Sequence, residues 1–534
     1  MANFVFISLY DECALGVRYL SAVLKQAGHR TRLVFLKQVI HNRDPKNLIV
    51  DAGYSGPTAA CSEHEYALVR DLVGAYEADF IGLSLASQCF GLAVWLSARL
   101  KRDFPNAPLL WGGVDPTLHP DLGIEHCDFL AIGEAELSLP ELIDAIQAGR
   151  DPGGVAGFWM RNGRTIRRNP ARPLVQDLDQ LPFPDFERGE KFLVQDNAVR
   201  AIQESFYILT TQRGCPYRCT YCANASLPEL YPGQRFLRRR SVENVLAEIA
   251  WVRGIYPEID YIAFYDDIFT LNKKWLRAFA PRYRDEVGLP FWCYTYPGHL
   301  DDEVAALLKE MGVEHVQTGV QSGSERVLRE IYRRADPGGV LETARLLKRH
   351  GIPVRYDLIA GNPMETDEDR LATLEVLLAV PHPFRINPAN PLCLFFNSPI
   401  ARMALERGIP LKQVEGVNGY HPAVETHYRF WKAIYDLTQY PVVERDFIRS
   451  LARNESLKAN PEILEAFQGA LEATYWTGPG GFAPSKECTL FCEGLIRELT
   501  AERDRLRSRL AAIEGKRLYR LYRKVREFLP KRLG

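Results

Sequence analysis

Short apolar runs alternate with amphipathic stretches twice along this chain, and that alternation confines it to parallel α/β architecture. "FVFISL" (Phe4–Leu9) leads into a helical pattern from Leu15 to Ala27. "RLVFL" (Arg32–Leu36), "FIGLSLA" (Phe80–Ala86), "PLLWGG" (Pro108–Gly113) and "DFLAIG" (Asp128–Gly133) follow, the later runs separated by helical stretches near 91–103 and 136–148. Apolar strands alternating with helices predict a doubly wound, Rossmann-like parallel sheet, with ligands at the carboxyl ends of its strands. Polar or glycine-bearing turns stand at those ends: Ser84–Ser87, Gly112-Gly113 and Gly133-Glu134. Residues 40–70 have weaker periodicity and suit a long loop or insertion.

A first domain is therefore expected over 1–150 and a connector over 151–204. The connector holds a hairpin signal at Asn162-Gly163 and the proline-rich "DLDQLPFPDFERG", an extended crossing between domains. A second alternation begins near 205, with strands over 207–211, 261–267, 291–296, 315–322, 354–361 and one within 384–396. Helices fit 242–253, 272–284, 301–311, 324–332, 338–350 and 367–379. Six β/α units are fewer than a closed barrel needs, so 205–400 is expected as a partial, TIM-like (β/α)6 barrel with its site at the C-terminal strand ends. Residues 401–534 read as a mainly helical region, with a helical run from about Lys486.

A chain of 534 residues is too long for one core, and two to four domains are expected. The formal net charge of −1 gives no global field to attract nucleic acid or membrane, so any basic surface is local. The N-terminus lacks the basic and apolar regions of a signal peptide, and no stretch reaches the ~20 apolar residues of a spanning helix. A cytoplasmic location follows as an expectation, and with it reduced thiols.

Among eleven cysteines, Cys215, Cys219 and Cys222 form the one tight cluster, C-x3-C-x2-C, directly after the first strand of the second series. Cys488 and Cys492 can share a helix face, but two ligands make no site. Structural zinc takes four protein ligands, so zinc at the trio requires a distant ligand such as His299. A cubane iron–sulfur cluster is held by thiolates, and three cysteines would leave one iron open to something exchangeable.

The trio, with Tyr221 before its last cysteine, resembles the hallmark C-x3-C-x-aromatic-C of the radical S-adenosylmethionine (SAM) superfamily. That resemblance implies a [4Fe-4S] cluster whose open iron takes the amino and carboxylate groups of SAM. Cleavage of SAM then gives a 5′-deoxyadenosyl radical that abstracts hydrogen from carbon. It also implies that Tyr265, Asp266 and Asp267 of "FYDDIF" contact the amino group of SAM, where the common form is Gly-Gly-Glu. Gln321 and Ser322 of "GVQSGSERVL" match the segment that approaches the ribose, and Gly361 of "LIAGNPMET" the one whose backbone approaches the adenine.

A parallel sheet ahead of such a core resembles the cobalamin-binding subfamily, over roughly residues 1–400. The D-x-H-x-x-G motif of many cobalamin domains is matched by Asp11, Cys13 and Gly16, with Cys13 in place of the histidine. Cobalamin without a His lower ligand is implied; Cys13 is either a cobalt ligand or a small packed residue. Ser84, Ser87, Gly112, Gly113 and Thr117 match positions that accommodate the nucleotide tail, and "IGEAE", with Gly133 and Glu134, matches a segment typical of the subfamily.

The function implied is a cobalamin-dependent radical SAM enzyme, first of all a C-methyltransferase. Alternatives are a cyclase or rearrangement enzyme on a tetrapyrrole, lipid or natural product, an RNA-modifying methylthiotransferase, and a non-catalytic zinc-binding protein. The expected partners are a small-molecule or lipid-like substrate and an electron donor such as flavodoxin or ferredoxin, with no nucleic acid. "KRLYRLYRKVREFLPKRLG" (Lys516–Gly534) has eight basic residues and an apolar helical stripe. It reads either as a docked terminal helix or as a peripheral contact with anionic lipid or RNA phosphate.

Overall fold

Alternate side chains of the first strand, β1 (Asn3–Leu9), enter different apolar clusters: Val5, Ile7 and Leu9 one, Phe4 and Phe6 another. A strand buried on both faces belongs in the middle of a covered parallel sheet. A computed structural model of the chain describes residues 1–484 apart from 12, 38–60, 203–205, 335–337, 388–389 and 478–482. In it, β1 pairs in parallel with β2 (Arg30–Leu36) on one side and β3 (Phe80–Ser84) on the other. Beyond β3 lie β4 (Leu109–Gly112) and β5 (Phe129–Ala131), also parallel. Helices Glu63–Ala75 and Phe90–Asp103 contribute to the Val5 cluster, and Leu15–Gln26 and Ser138–Gln147 to the Phe4 cluster. The chain reverses its direction of travel across the sheet between β1 and β3, which makes their carboxyl ends a topological switch point.

The stretch expected as a connector instead completes this sheet. Hairpin β6 (Phe158–Asn162) and β7 (Thr165–Arg168) adds antiparallel to β5, turning through Gly163. At the opposite edge β8 (Lys191–Gln195) pairs in parallel with β2 and turns back into β9 (Ala198–Ala201). That turn, Asp196-Asn197, has φ of 54° and 57°, the primed geometry that suits strand twist. Part of the weakly periodic region is also ordered: Ser62 and Glu65 form a capping box that starts the helix Glu63–Ala75.

The second sheet runs in sequential order. β10 (Tyr207–Leu209) is followed by the short antiparallel pair β11 (Gln212–Arg213) and β12 (Arg238–Arg239). Then β13 (Ile262–Phe264), β14 (Phe291–Thr295), β15 (Val313–Gln321), β16 (Val354–Ala360) and β17 (Phe384–Ile386) line up in parallel after β10, one beside the next. β18 (Asn390–Pro391) extends the edge of β16. Helices cover the face that carries Phe264, Phe291, Cys293 and Val316. The opposite face carries Trp292, Tyr294, His315 and Gln317.

The expected helix over 324–332 is a single π-helical turn, Val327–Ile331. Its last carbonyls are diverted out of the helix: Ile331 O accepts from Thr220 Oγ1 at 2.6 Å and Tyr332 O from Thr220 N at 3.2 Å.

The region after 393 is less purely helical than its sequence implies. β19 (Leu394–Phe395), β20 (Leu411–Gln413) and β21 (Gly419–Pro422) form a small antiparallel sheet ahead of helices Tyr428–Leu437, Arg445–Ala452 and Glu462–Tyr475. The expected helical run from Lys486, Cys488, Cys492 and the basic tail lie outside the described residues. Among the described residues no helix is long and apolar enough to cross a membrane.

Gly113 has φ +106° and an added Cβ would lie 2.6 Å from Leu85 O, whereas Gly154 has open space at that position. Gly113→Ala should lower the thermal unfolding midpoint, at a cost of about 1–3 kcal/mol, while Gly154→Ala leaves it nearly unchanged. Equal midpoints for the two variants would contradict the packing described.

Candidate functional site

Two adjoining cavities occupy the switch point. The larger, of about 460 Å³, is walled by Ser8–Asp11, Cys13–Gly16 and Ser84–Ala86 on the first-sheet side, and by Ile208, Tyr265, Trp292, Tyr294 and Gln317 on the other. It joins the carboxyl ends of the first sheet to the uncovered face of the second. The smaller, of about 350 Å³, runs between the Phe4–Phe6 face of the first sheet and the helix Leu15–Gln26, reaching Gly112, Gly113, Gly133, Glu134 and Arg213. Leu15, Gly16, Ser84 and Gly113 line both.

The residues matched to a cobalamin site divide into two groups here. Asp11, Cys13, Gly16, Ser84, Gly112, Gly113, Gly133 and Glu134 all line a cavity. The Asp11 carboxylate accepts from Cys13 N at 3.0 Å and Ala14 N at 2.8 Å, so it shapes its own loop. Cys13 packs against the cluster of Ile208, Tyr261, Ala263 and Trp292. Gly16 has nothing within 4 Å of an added Cβ, so a side chain there would project into the cavities.

Ser87 and Thr117 line neither of these two cavities. Thr117 Oγ1 donates to Gly113 O at 2.8 Å and accepts from Gly133 N at 3.1 Å, tying two turns together. Ser87 is buried, and its carbonyl accepts from Asn418 N at 3.1 Å.

The cysteine loop is pinned at its centre. Besides holding Ile331 O and Tyr332 O, Thr220 accepts from Ile400 N through its carbonyl at 3.2 Å. Tyr221 packs edge-on against Tyr332 with ring centroids 5.0 Å apart. Cys215, Cys219 and Cys222 are reduced thiols, Cys219 buried and the other two half-buried. Burial pushes the Cys215 thiol up to about 12 and the Cys222 thiol up to about 11, and raises Cys219 as well. Protons therefore stay on these sulfurs until a thiophilic metal replaces them. Among the described residues no three His, Cys, Asp or Glu side chains converge on one metal-ion position. His299 instead contacts the hydroxyl of Tyr217, which stacks on Tyr296 at 4.1 Å. Three thiols on one loop suit a cluster of irons better than a structural zinc ion, which takes four protein ligands.

Arg334 was not singled out by the sequence, yet it is the cation nearest in character to what this loop lacks. Its guanidinium lies over the Tyr296 ring, 4.5 Å from the centroid, and Nε donates to Tyr296 Oη at 3.3 Å. Its charge bears on Cys219 and Tyr221. Nη1 is buried without a hydrogen-bond partner, and such a donor calls for an anion.

The other SAM positions are rearranged by packing. Asp266 is buried, its Oδ1 accepts from Thr211 N and Gln212 N at 2.7 Å, and its Oδ2 from Thr211 Oγ1 at 3.0 Å. It therefore fixes the strand-to-loop turn before the cysteines. Asp267 accepts from Asn224 Nδ2 at 3.0 Å and raises the thiols of Cys215 and Cys222, so it stays beside the loop. Tyr265 is 44% exposed and lines the larger cavity. Ser322 is buried, and its Oγ donates to Glu365 Oε1 at 3.2 Å inside the fold. Gln321 has φ +61° and its amide sits with Arg334 over Gly319. Gly361, at φ +73°, lies against Thr426 and Tyr428.

Ion pairs lock the two sheets together, and these too escaped the sequence. Arg238 donates to both oxygens of Glu134, at 2.9 and 2.5 Å. Arg213 meets Glu136 at 2.6 Å and Glu134 at 3.3 Å. A third segment clasps the first sheet from beyond the second. Gly91 N donates to Gly416 O at 2.7 Å, Asn418 Nδ2 to both oxygens of Asp115 at 3.1 Å, and His119 bridges Asp115 Oδ1 and Phe396 O at 2.8 and 2.7 Å.

A parallel β/α sheet whose first strand feeds a three-thiol loop is the setting that the cysteine spacing predicts, and a half-buried arginine stands beside it. Residues 209–377 match the family model of the Radical SAM superfamily, which marks this stretch as a radical SAM domain. An uncharacterized methyltransferase of Pyrococcus horikoshii is 29% identical over 311 residues, 58% of this chain and 65% of that protein. The anaerobic magnesium-protoporphyrin IX monomethyl ester cyclase of Synechocystis is 24% identical over 310 residues, 56% of this chain and 58% of its own length. The chain thus spans less than two thirds of these two curated relatives. Among solved structures, the radical SAM methyltransferase TsrM from Kitasatospora setae, with cobalamin and a [4Fe-4S] cluster bound, superposes with a TM-score of 0.57. That match is at 15% identity and covers 89% of this chain and 100% of TsrM. It shows that the fold is shared along nearly the whole length.

Burial pushes the Glu365 carboxyl up from 4.5 to about 7, with Arg370 opposing the shift. The folded state thus holds this proton more tightly than the unfolded chain. Its contribution to stability is full below the unfolded value and is lost as pH rises through about 7. The fall in thermal midpoint between about pH 5 and about pH 8 should be smaller in Glu365→Gln than in the parent. An equal fall would show that Glu365 is not a buried acid.

Proposed function

We propose that this chain is a cobalamin-dependent radical SAM methyltransferase that transfers a methyl group to a carbon of a small-molecule or lipid-like substrate. One observation carries the proposal: the larger cavity has the switch-point turns of the first sheet for one wall and the uncovered face of the second for the other. A cofactor seated on the first wall would face a substrate held against the second. When bound, the cluster supplies the electron that splits SAM into a hydrogen-abstracting radical, and cobalamin supplies the methyl group.

The residues fit both groups. Cys215, Cys219 and Cys222 would hold the cluster, and the unpartnered Nη1 of Arg334 would take the carboxylate of SAM. A charge-assisted bond in that dry setting fixes orientation as well as affinity. Asp11, Cys13, Ser84 and Gly113 would border the corrin, and the slot past Gly112 and Gly133 would take the nucleotide tail. Histidine is absent from the described lining of both cavities, so these residues offer no imidazole to the lower cobalt face. Tyr265, Trp292 and Tyr294, packed edge-to-face with centroids 5.0–5.9 Å apart, wall the substrate side and exclude water from it. Similarity to the cyclase supports a second outcome from the same site, ring closure, which differs in adding no methyl mass to the product. Electrons would come from a flavodoxin or ferredoxin, at a cytoplasmic location.

Two measurements test the proposal. Replacing the three cysteines with alanine should abolish both the iron–sulfur absorption of anaerobically reconstituted protein and its formation of 5′-deoxyadenosine; retained cleavage would reject the cluster assignment. Gly16→Leu should fold with an unchanged or higher thermal midpoint, because leucine is the better helix former, yet lose hydroxocobalamin binding. Undiminished binding would move the cofactor elsewhere.

A further inference from the structure

Arg213 and Arg238 are directly opposed partners in the antiparallel ladder of β11 and β12. Two like charges so placed repel one another, and burial enlarges the cost, since the Arg238 side chain is 1% exposed and that of Arg213 19%. The counter-charges come from the other sheet. Glu134 and Glu136, in the turn after β5, reach across to neutralise both, and Tyr231 Oη accepts from Glu134 N at 3.2 Å beside them. Glu134 and Arg213 are at the same time part of the wall of the smaller cavity. Arg213 is also only two positions from Cys215, and the intervening Gly214 has φ +90° with Phe236 O 2.6 Å from an added Cβ. The backbone of that residue passes close to the segment leading into β12, so Arg213 and the cysteine loop are joined through a single tightly placed glycine.

Resting on the cofactor assignment above, we propose that Arg213 is a positioning residue that couples the two cofactor sites. Filling the groove of the first sheet sets the Glu134–Glu136 turn, the turn sets Arg213, and Arg213 sets the loop that holds the cluster. Coupling of this kind is reciprocal by thermodynamic necessity. An assembled cluster therefore tightens cobalamin binding by the same factor that bound cobalamin stabilises the cluster. On this proposal both ligands favour the arrangement in which the four charged groups are engaged across the interface.

The test is a titration of hydroxocobalamin, followed by its absorbance, into full-length protein with and without anaerobically reconstituted cluster. The parent protein should bind about tenfold more tightly when the cluster is present. In Arg213→Met the two affinities should become equal while iron and sulfide content stays near that of the parent. Arg213→Lys, which keeps the charge, should restore part of the ratio. Glu136→Gln removes one counter-charge from the opposite side and should also diminish it, which covers the case in which the methionine variant fails to fold. A parent ratio of one, or a ratio unchanged in Arg213→Met and Glu136→Gln, overturns the proposal. Parent protein that takes up neither cluster nor cobalamin would instead sink the cofactor assignment itself.

Discussion

Two guanidinium groups buried side by side cannot exist in this fold unless another part of the chain neutralises them. The β11–β12 ladder creates that situation, and the Glu134–Glu136 turn resolves it from a different sheet. Breaking either half of such a set strands a desolvated charge, which costs far more than an exposed ion pair is worth. These ion pairs therefore help to specify the relative placement of the two sheets. Most other ion pairs in the molecule are at the surface and carry no such obligation.

From that fixed point the rest of the site follows by short, directional contacts. Asp266 holds the backbone just before β11, and Thr220 ties the middle of the cysteine loop to a π-helical turn and to the helix at Ile400. The same turn delivers Arg334 beside the loop. Buried polar groups thus do the aligning, and the Nη1 of Arg334 is left without a hydrogen-bond partner beside the loop. The Tyr265, Trp292 and Tyr294 rings supply a rigid apolar wall on the far side of the cavity.

Sequence patterning revealed the elements whose burial is continuous. β1 to β5 and the strands at 207, 262, 291, 313 and 354 are apolar runs with clear boundaries, and the cysteine spacing placed the loop at a strand end. Three kinds of feature were not legible. The hairpin over 191–201 was hidden because its exposed outer strand, Ala198–Ala201, has no apolar rhythm, although the Asp196-Asn197 turn signal was present. The π-turn after Ser324 arises from a tertiary contact with Thr220, more than a hundred residues earlier, which no local pattern records. Charged residues were the hardest: Arg213, Arg238 and Arg334 stand in arginine-rich surroundings, and only the fold distinguishes a buried guanidinium from a solvated one. Asp266, Ser322 and Thr117 show the converse, since residue types suited to ligands serve internal hydrogen bonds equally well.

The pairing of β8 with β2 has a consequence for biosynthesis. When β1 to β5 have left the ribosome, the partner of the Arg30–Leu36 edge has not yet been translated, because it lies at residues 191–195. The nascent protein then presents an apolar strand with unsatisfied amides, the kind of surface on which chains associate wrongly. Chaperone occupancy or slowed elongation over that interval would bear on yield, and truncations ending between the two strands would be the most aggregation-prone fragments of this protein.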